Sequence, residues 1–379
     1  MAVETMTDTA QPVTVKRAKR ESQFALMWRR FKQHKLALVS LWIVIAFYLV
    51  AMFAEFLAPT DPSAYSARYT YAPPQGIHFI STNADGSWAF GPYVNGYKSE
   101  VDPKAMRRVF VIDPEEIIPL QLFAPSKPYN LMGFIPMTVK LFGVSDPKAP
   151  LYIMGADRLG RDLLSRLIHG TRISLSIGLA GVTLSLFFGI VIGGFAGYYG
   201  GRFDSAVMRV IEFIRSMPTI PLWLGLAAAM PKDWSPLQSY FAITVILSLI
   251  GWTELARVVR GRFLSLRTED FVTAAQLDGA SDWRIVTRHM VPSFTSHIIA
   301  AATLAVPGMI LAETALSFLG LGLQAPIVSW GTLLQDAQNI RTLASAPWLL
   351  TPGICVVVVI LALNFFGDGL RDAADPHGR

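Results

Sequence analysis

Charge is scarce in this chain of 379 residues: Asp, Glu, Lys and Arg make up 16% of it, against 52% for the hydrophobic types. A soluble globular protein carries about a quarter charged residues. That deficit argues against a soluble enzyme, and the hydrophobic excess argues against a disordered chain. Cysteine is scarcer still. Cys355 is the only one, and it lies inside an apolar run. A disulfide framework or a thiolate metal site within the chain is excluded; Cys355 reads as a small lipid- or core-facing residue. Chemistry-bearing motifs are missing as well. There is no Gly-x-x-x-x-Gly-Lys-Ser/Thr loop to cradle phosphates, no His-Glu-x-x-His and no Gly-x-Ser-x-Gly elbow. The six histidines (His34, His78, His169, His289, His297, His377) are scattered without ligand spacing. Neither a catalytic residue nor a metal or cofactor site is expected in this chain.

What the sequence has in excess is long apolar runs: Leu36–Ala54, Ile173–Gly201, Ser216–Pro231, Trp234–Thr253, Ala300–Ala312 and Thr342–Gly367, with a mean hydropathy of +0.42 overall. A membrane span needs roughly 20 residues, and shorter windows serve where a flank extends them. A transmembrane barrel is excluded, because its strands alternate in polarity. The net charge of +6 has a place in this picture. Lys16, Arg17, Lys19, Arg20, Arg29, Arg30, Lys32 and Lys35 precede the first run, which puts the N-terminus in the cytoplasm. Phe24, Leu26, Met27, Trp28 and Phe31 interleave with them, as in an amphipathic segment on the inner leaflet. Arg202 and Arg209 fall in the second cytoplasmic stretch. Arg257, Arg260, Arg262, Arg267, Arg284 and Arg288 fall in the third, whereas the short external loops hold Lys232 and Arg341 alone. The expectation is an all-α polytopic protein with six transmembrane helices and both termini cytoplasmic. Nucleic acid is not an expected partner; the lipid bilayer is.

Residues 58–150 differ from the rest. Between Pro59 and Pro150 lie 13 of the 24 prolines and 13 aromatics, with 8 basic and 8 acidic residues. Asp85-Gly86 and Asn95-Gly96 are two-residue hairpin signals. This predicts a folded, β-containing extracytoplasmic insert after the first helix; a docking or gating role and a passive cap both stay open for it. The resulting division is a tail at 1–35, a first helix at 36–57, the insert at 58–150, a core at 151–367 and a tail at 368–379.

Several side chains stand out within the core. Arg209, Glu212 and Arg215 form one helical stripe, which places that turn at the cytoplasmic interface. Pro218 and Pro221 follow and are expected to kink the helix, with a gate hinge as the functional alternative. Glu313 is the one acid in the middle of the apolar stretch from Met290 to Gln335; it is either a functional site or the partner of a polar group on a neighbouring helix. Asp157, Arg158, Arg161, Asp162 and Arg166 alternate in sign before the second span, and helical spacing pairs Asp157 with Arg161 and Asp162 with Arg166. Gly189, Gly193, Gly194 and Gly197 suit close helix packing.

The cytoplasmic stretch at 257–292 is the most informative. A helix over Phe271–Leu277 carries Ala274-Ala275 at its centre. Gly279 breaks it as a C-cap with positive φ. Ser281 and Asp282 are N-caps for a second helix over Trp283–Met290, which Pro292 ends. Two short helices joined at a glycine make a compact knob, and a force on it moves the spans on both sides.

Ala274-Ala275, three residues, Gly279 and then Pro292 resemble the cytoplasmic loop of ABC importer permeases, although Thr273 stands where that family usually has Glu. Met154–Arg166 with Gly170–Ser174, Leu311–Gly322 with Ser329-Trp330-Gly331, and Gly367–Pro376 resemble the oligopeptide/dipeptide branch. The likeness is close over Leu151–Pro376 and loose over Lys16–Pro59; the long insert is a departure. The resemblance implies the type I importer permease fold in a bacterial inner membrane. It implies a second homologous permease, two ATP-binding subunits that hold the ATP and Mg, and a soluble substrate-binding protein. The residues it assigns to ATPase coupling are Ala274, Ala275, Asp278, Gly279, Ala280 and Ser281, with Arg284 and Arg288 as charge partners. Peptides are the implied cargo; opines, oligosaccharides or nickel are alternatives within the same machinery. An ATP-independent transporter or channel is the remote rival.

Overall fold

A computed structural model describes residues 23–82, 88–102, 107–146, 149–231 and 233–374. Lys16–Arg20, the Asp85-Gly86 turn, Lys232 and His377 lie outside them.

Among the described residues, five helices are long and apolar enough to cross a membrane: Lys35–Met52, Leu163–Tyr199, Pro236–Leu266, Thr295–Phe318 and Pro347–Ala374. The sixth expected span is broken. Gly201–Ser216 and Thr219–Ala228 meet at 84°. The cause is local. Pro218 supplies no N–H and disfavours a helical Met217, whose ψ of 139° is extended. Pro218 therefore sits at the bend, while Pro221 lies inside the first turn of the next helix. Thr219–Ala228 has 10 residues, about 15 Å of helix, half of a hydrocarbon core. Gly201–Ser216 is amphipathic and tied down by charge: Asp204 accepts two bonds of 2.5 Å from Arg260. Arg209 pairs with Glu212 at 3.0 Å. Arg215, on the same stripe, pairs with Glu254 on the Pro236–Leu266 helix.

The second span, 37 residues, runs about 55 Å and so projects well beyond the bilayer core. It crosses the fourth span (Pro236–Leu266) at glycines. A Cβ on Gly193 would stand 2.3 Å from the Ala256 carbonyl oxygen, and one on Gly197 would stand 2.6 Å from Phe263 Cβ. A π-turn over Gly189–Gly193 marks the crossing. The main core lies between the first, second, fourth, fifth and sixth spans, around Leu175, Ile177, Leu247, Ile310 and Trp330. At the opposite end of the sixth span, helix Gln23–Phe31 buries Phe31 against Ala37, Phe366 and Ala373. The two described ends of the chain thus meet on one side.

The insert forms an antiparallel sheet in the order β1 (His78–Thr82), β2 (Trp88–Asp102), β3 (Arg107–Leu122) and β6 (Phe142–Val144), with a separate hairpin of β4 (Pro125–Leu131) and β5 (Ile135–Val139). Asn95-Gly96 is not a turn. It lies in mid-strand where the β2–β3 register shifts: Asn95 faces Ile117 and Gly96 faces Asp113. The Glu116 side chain covers Gly96, so the glycine makes room across a bulge instead of reversing the chain. Tyr69, Tyr97, Phe110 and Tyr152 form the insert's aromatic core. Gln75 clamps the insert to the chain entering the second span. Its Nε2 donates to the Asn95 and Pro150 carbonyls at 2.7 and 3.2 Å, and its Oε1 accepts from the Tyr152 N–H at 2.6 Å. A cleft of about 660 Å3 opens between Arg68, Tyr71 and Phe110 of the insert and Trp348 at the start of the sixth span.

Candidate functional site

The knob begins with helix Asp270–Leu277. It closes in the hydrogen-bond pattern of a glycine C-cap. The Gly279 N–H donates to the Gln276 carbonyl at 3.0 Å and the Ala280 N–H to the Ala275 carbonyl at 3.0 Å. Gly279 has φ +72°, a conformation that a side chain would strain, although nothing stands within 4 Å of where its Cβ would be. Ser281 occupies the next N-cap with extended backbone, but its side chain makes no capping bond. The second helix starts at Asp282 and widens into π-turns over Ile285–Met290. Pro292 does not end it. The proline falls in the first positions of a further turn, Val291–Ser293, where a missing N–H costs little, and the break comes at Phe294.

A continuous apolar core fastens the knob. Val272, Ala275, Ile285, Val286 and Met290 pack on Val259, Phe263 and Leu266 of the fourth span and on Phe294 and Ile298 leading into the fifth. Ala275 therefore faces inward, because the i, i+3 spacing that buries Val272 buries it too. Its side chain is not on the surface that a partner would touch. Ala274, Asp278, Gly279, Ser281, Arg284 and Arg288 are on that surface, with Ala280 half-buried. Beside them stands Leu277, 84% exposed, a large apolar side chain at the tip that the Ala-Ala-Gly spacing does not single out.

The second attachment escapes sequence reasoning altogether. Asp282 accepts from the Tyr198 hydroxyl at 3.0 Å and from the Tyr199 hydroxyl at 2.8 Å, and Gln276 Nε2 donates to Tyr198 at 3.2 Å. Trp283 stacks on Phe195 with centroids 5.8 Å apart. The projecting end of the second span thus grips the knob. Two adjacent tyrosines at a span end read as an interfacial belt; only the fold brings Asp282 to them.

The family model "Binding-protein-dependent transport system inner membrane component" matches residues 189–379. A second, "N-terminal TM domain of oligopeptide transport permease C", matches 22–74. The chain is 35% identical to the oligopeptide transport system permease protein OppC of Bacillus subtilis, over 69% of this chain and 83% of the relative. It is 32% identical to the dipeptide transport system permease protein DppC of Lactococcus lactis, over 94% of this chain and 91% of the relative. The chain belongs to the oligopeptide/dipeptide ABC importer permeases, as a C-type subunit. Among solved structures, a chain of the MetNI methionine ABC transporter is similar at 21% identity and a TM-score of 0.40, covering 56% of this chain and 97% of the other.

Membership makes the permease a multi-pass inner-membrane protein of transport and not an enzyme, and it implies an ATPase partner and a substrate-binding partner. The fold is helical with the small sheet-containing insert, as expected. The remaining candidates are not brought together. Pro218 and Pro221 are exposed at the bend. Glu313 is fully buried on the fifth span, where it accepts from Ser174 of the second span at 3.2 Å and from Ser317 at 2.8 Å. Ser174 in turn accepts from the Trp330 N–H at 3.1 Å. Of the two readings open for Glu313, the polar partner on a neighbouring helix is present. At the entry to the second span, Asp157 holds Arg161 at 2.6 Å, the expected pair, but across a turn and not along a helix, which begins only at Leu163. The Asp162–Arg166 pair does not form. Asp162 caps the helix, accepting from the Ser165 N–H at 2.9 Å, and Arg166 turns back to Asp157 at 3.1 Å.

Proposed function

We propose that this permease forms half of the path by which peptides enter the cell, paired with a second homologous permease, two ATPases that carry the ATP and Mg, and a soluble binding protein. Peptide cargo is supported by the names of the relatives above. Both termini are cytoplasmic in this reading, supported by the basic residues around the knob and before the first span. The knob inserts into a groove of one ATPase through Ala274, Leu277, Asp278, Gly279 and Ser281, with Arg284 and Arg288 on the flank. Closure of the ATPases pushes it, and the second, fourth and fifth spans tilt with it. The observation that carries this reading is the contrast between the two sides of the knob: the inner side is continuous with the core of three spans, and the outer side leaves Leu277 84% exposed. The bend at Pro218, with Pro221 behind it, serves as the hinge of the broken span. Glu313 keeps the outer ends of the second and fifth spans in register.

The test is reconstitution of the five-subunit assembly in proteoliposomes. Leu277→Asp should abolish ATP-driven uptake of a labelled oligopeptide and release the ATPase on co-purification, with membrane levels of the permease unchanged. Full uptake by that variant would remove the coupling role.

A further inference from the structure

The β4–β5 hairpin continues the β3–β6 ladder, through the Phe123 N–H to the Leu141 carbonyl and the Lys140 N–H to the Ala124 carbonyl, and is also tied to the outer end of the first span. The Leu141 N–H donates to the Phe56 carbonyl at 2.8 Å, the Phe56 and Phe123 rings are 6.5 Å apart, and Lys140 Nζ donates to the Ala58 carbonyl at 2.8 Å. The hairpin thereby brings Leu131 and Met137 alongside Leu49, Val50 and Phe53, and these side chains line an apolar groove of about 420 Å3. Leu49 and Val50 lie inside the last turn of the span, within the segment that must face hydrocarbon. The groove is therefore continuous with the lipid-facing flank of the span, on which Val39 and Trp42 are exposed. At the hairpin's tip Phe134 is 71% exposed and Ile135 beside it 42%. Large apolar groups on a tip are costly in water but suit the boundary between headgroups and acyl chains. The hairpin has two unpaired edges, so its backbone cannot enter the hydrocarbon itself. Such a hairpin fits a membrane surface with its strands among the headgroups and the Phe134 and Ile135 side chains toward the acyl layer.

We propose that the β4–β5 hairpin anchors the insert in the leaflet it faces, and that the groove it forms with the first span holds one acyl chain of a phospholipid. The lipid pins the insert against the first span, which keeps the sheet at a constant height above the outer ends of the spans.

The test uses the full chain with Cys355→Ser, which removes its only cysteine. Phe134→Cys, Met137→Cys, Val39→Cys and Lys98→Cys are each labelled with bimane and reconstituted in phosphatidylethanolamine/phosphatidylglycerol vesicles. Half of the vesicles carry phospholipids dibrominated on the acyl chain. The labels at 134 and 137 should lose fluorescence to bromolipid as strongly as the one at 39, with the larger loss from bromines near the glycerol end. The label at 98, on a charged strand position, should respond to aqueous iodide instead. Quenching at 134 no greater than at 98 overturns the anchor. A label at 137 that is shielded from bromolipid overturns the lipid occupant: iodide quenching there means water, and shielding from both means protein. Ile135→Cys replaces Phe134→Cys if the latter aggregates.

Discussion

The knob and the insert sit on opposite sides of the same helices and are attached by different physics. The knob shares a core with the fourth and fifth spans, and the second span grips it through Tyr198, Tyr199 and Phe195. The insert meets the chain entering the second span through two small apolar clusters, around Tyr97 and Tyr152 and around Val94 and Leu151, reinforced by the directed bonds of Gln75 and Lys140; that chain is tied in turn to the sixth span by the Trp348 indole donating to the Ala156 carbonyl at 3.0 Å. A shared core transmits displacement because close-packed side chains have nowhere to yield. A clamp of hydrogen bonds fixes position but can be lost one bond at a time. The difference teaches which side of the molecule is built to carry force and which is built to hold a surface in place.

That contrast can be broken most severely where the second span crosses the fourth. Gly193→Val would drive a side chain into the Ala256 backbone and should cost about 1–3 kcal/mol or more. Thermal unfolding of the purified protein should show a lower midpoint, and membrane levels should fall. Next is the elbow. Gly279→Val leaves the core untouched but strains a positive-φ position by roughly 1–2 kcal/mol. Uptake should disappear while the protein still inserts, and Gly279→Asn, which tolerates this conformation, should recover part of the transport; equal loss in both would mean that backbone geometry is not the cause. In the insert, Gln75→Ala removes the partner of the Tyr152 N–H and of two carbonyls, at about 1–3 kcal/mol. Limited proteolysis should cut the insert faster, with uptake reduced less than by either glycine change.

The smallest effect is electrostatic. Lys98 Nζ stands 2.8 Å from Asp113 across β2 and β3, and its hydrogen bond holds the Asp113 carboxyl below the usual aspartate range. A folded-state pKa below the unfolded one gives stability that is complete above the ordinary value and is lost as pH falls through the folded value. Protease resistance of the insert should thus decline below about pH 4, and Lys98→Met should flatten that decline.

Much of this architecture is legible in order along the chain, for a physical reason: the bilayer demands apolar length, and length is a property of the chain itself. The spans, the Gly279 elbow and the Asp157–Arg161 pair all rest on contacts within a few residues. The misreadings have one origin. Asn95-Gly96 reads as a turn because local propensity says so, and the pairing of β2 with β3 overrides it. Asp162 reads as Arg166's partner by spacing, and the free N–H groups of the helix start claim it first. Ala275 reads as contact surface until the packing of Val272 shows which face is inside.

Patterning alone determined that this protein crosses a membrane repeatedly, carries a folded insert and bears a two-helix knob beside its fourth span, because hydrophobic length, turn residues and caps act over short stretches of chain. Only the tertiary structure decided that Asp282 is held by two tyrosines, that Leu277 stands free at the tip, that the third span is broken by 84° and that an apolar hairpin lies against the first span. Those facts depend on which distant residues share a surface, and burial and hydrogen bonding across the fold settle that at once for the whole chain.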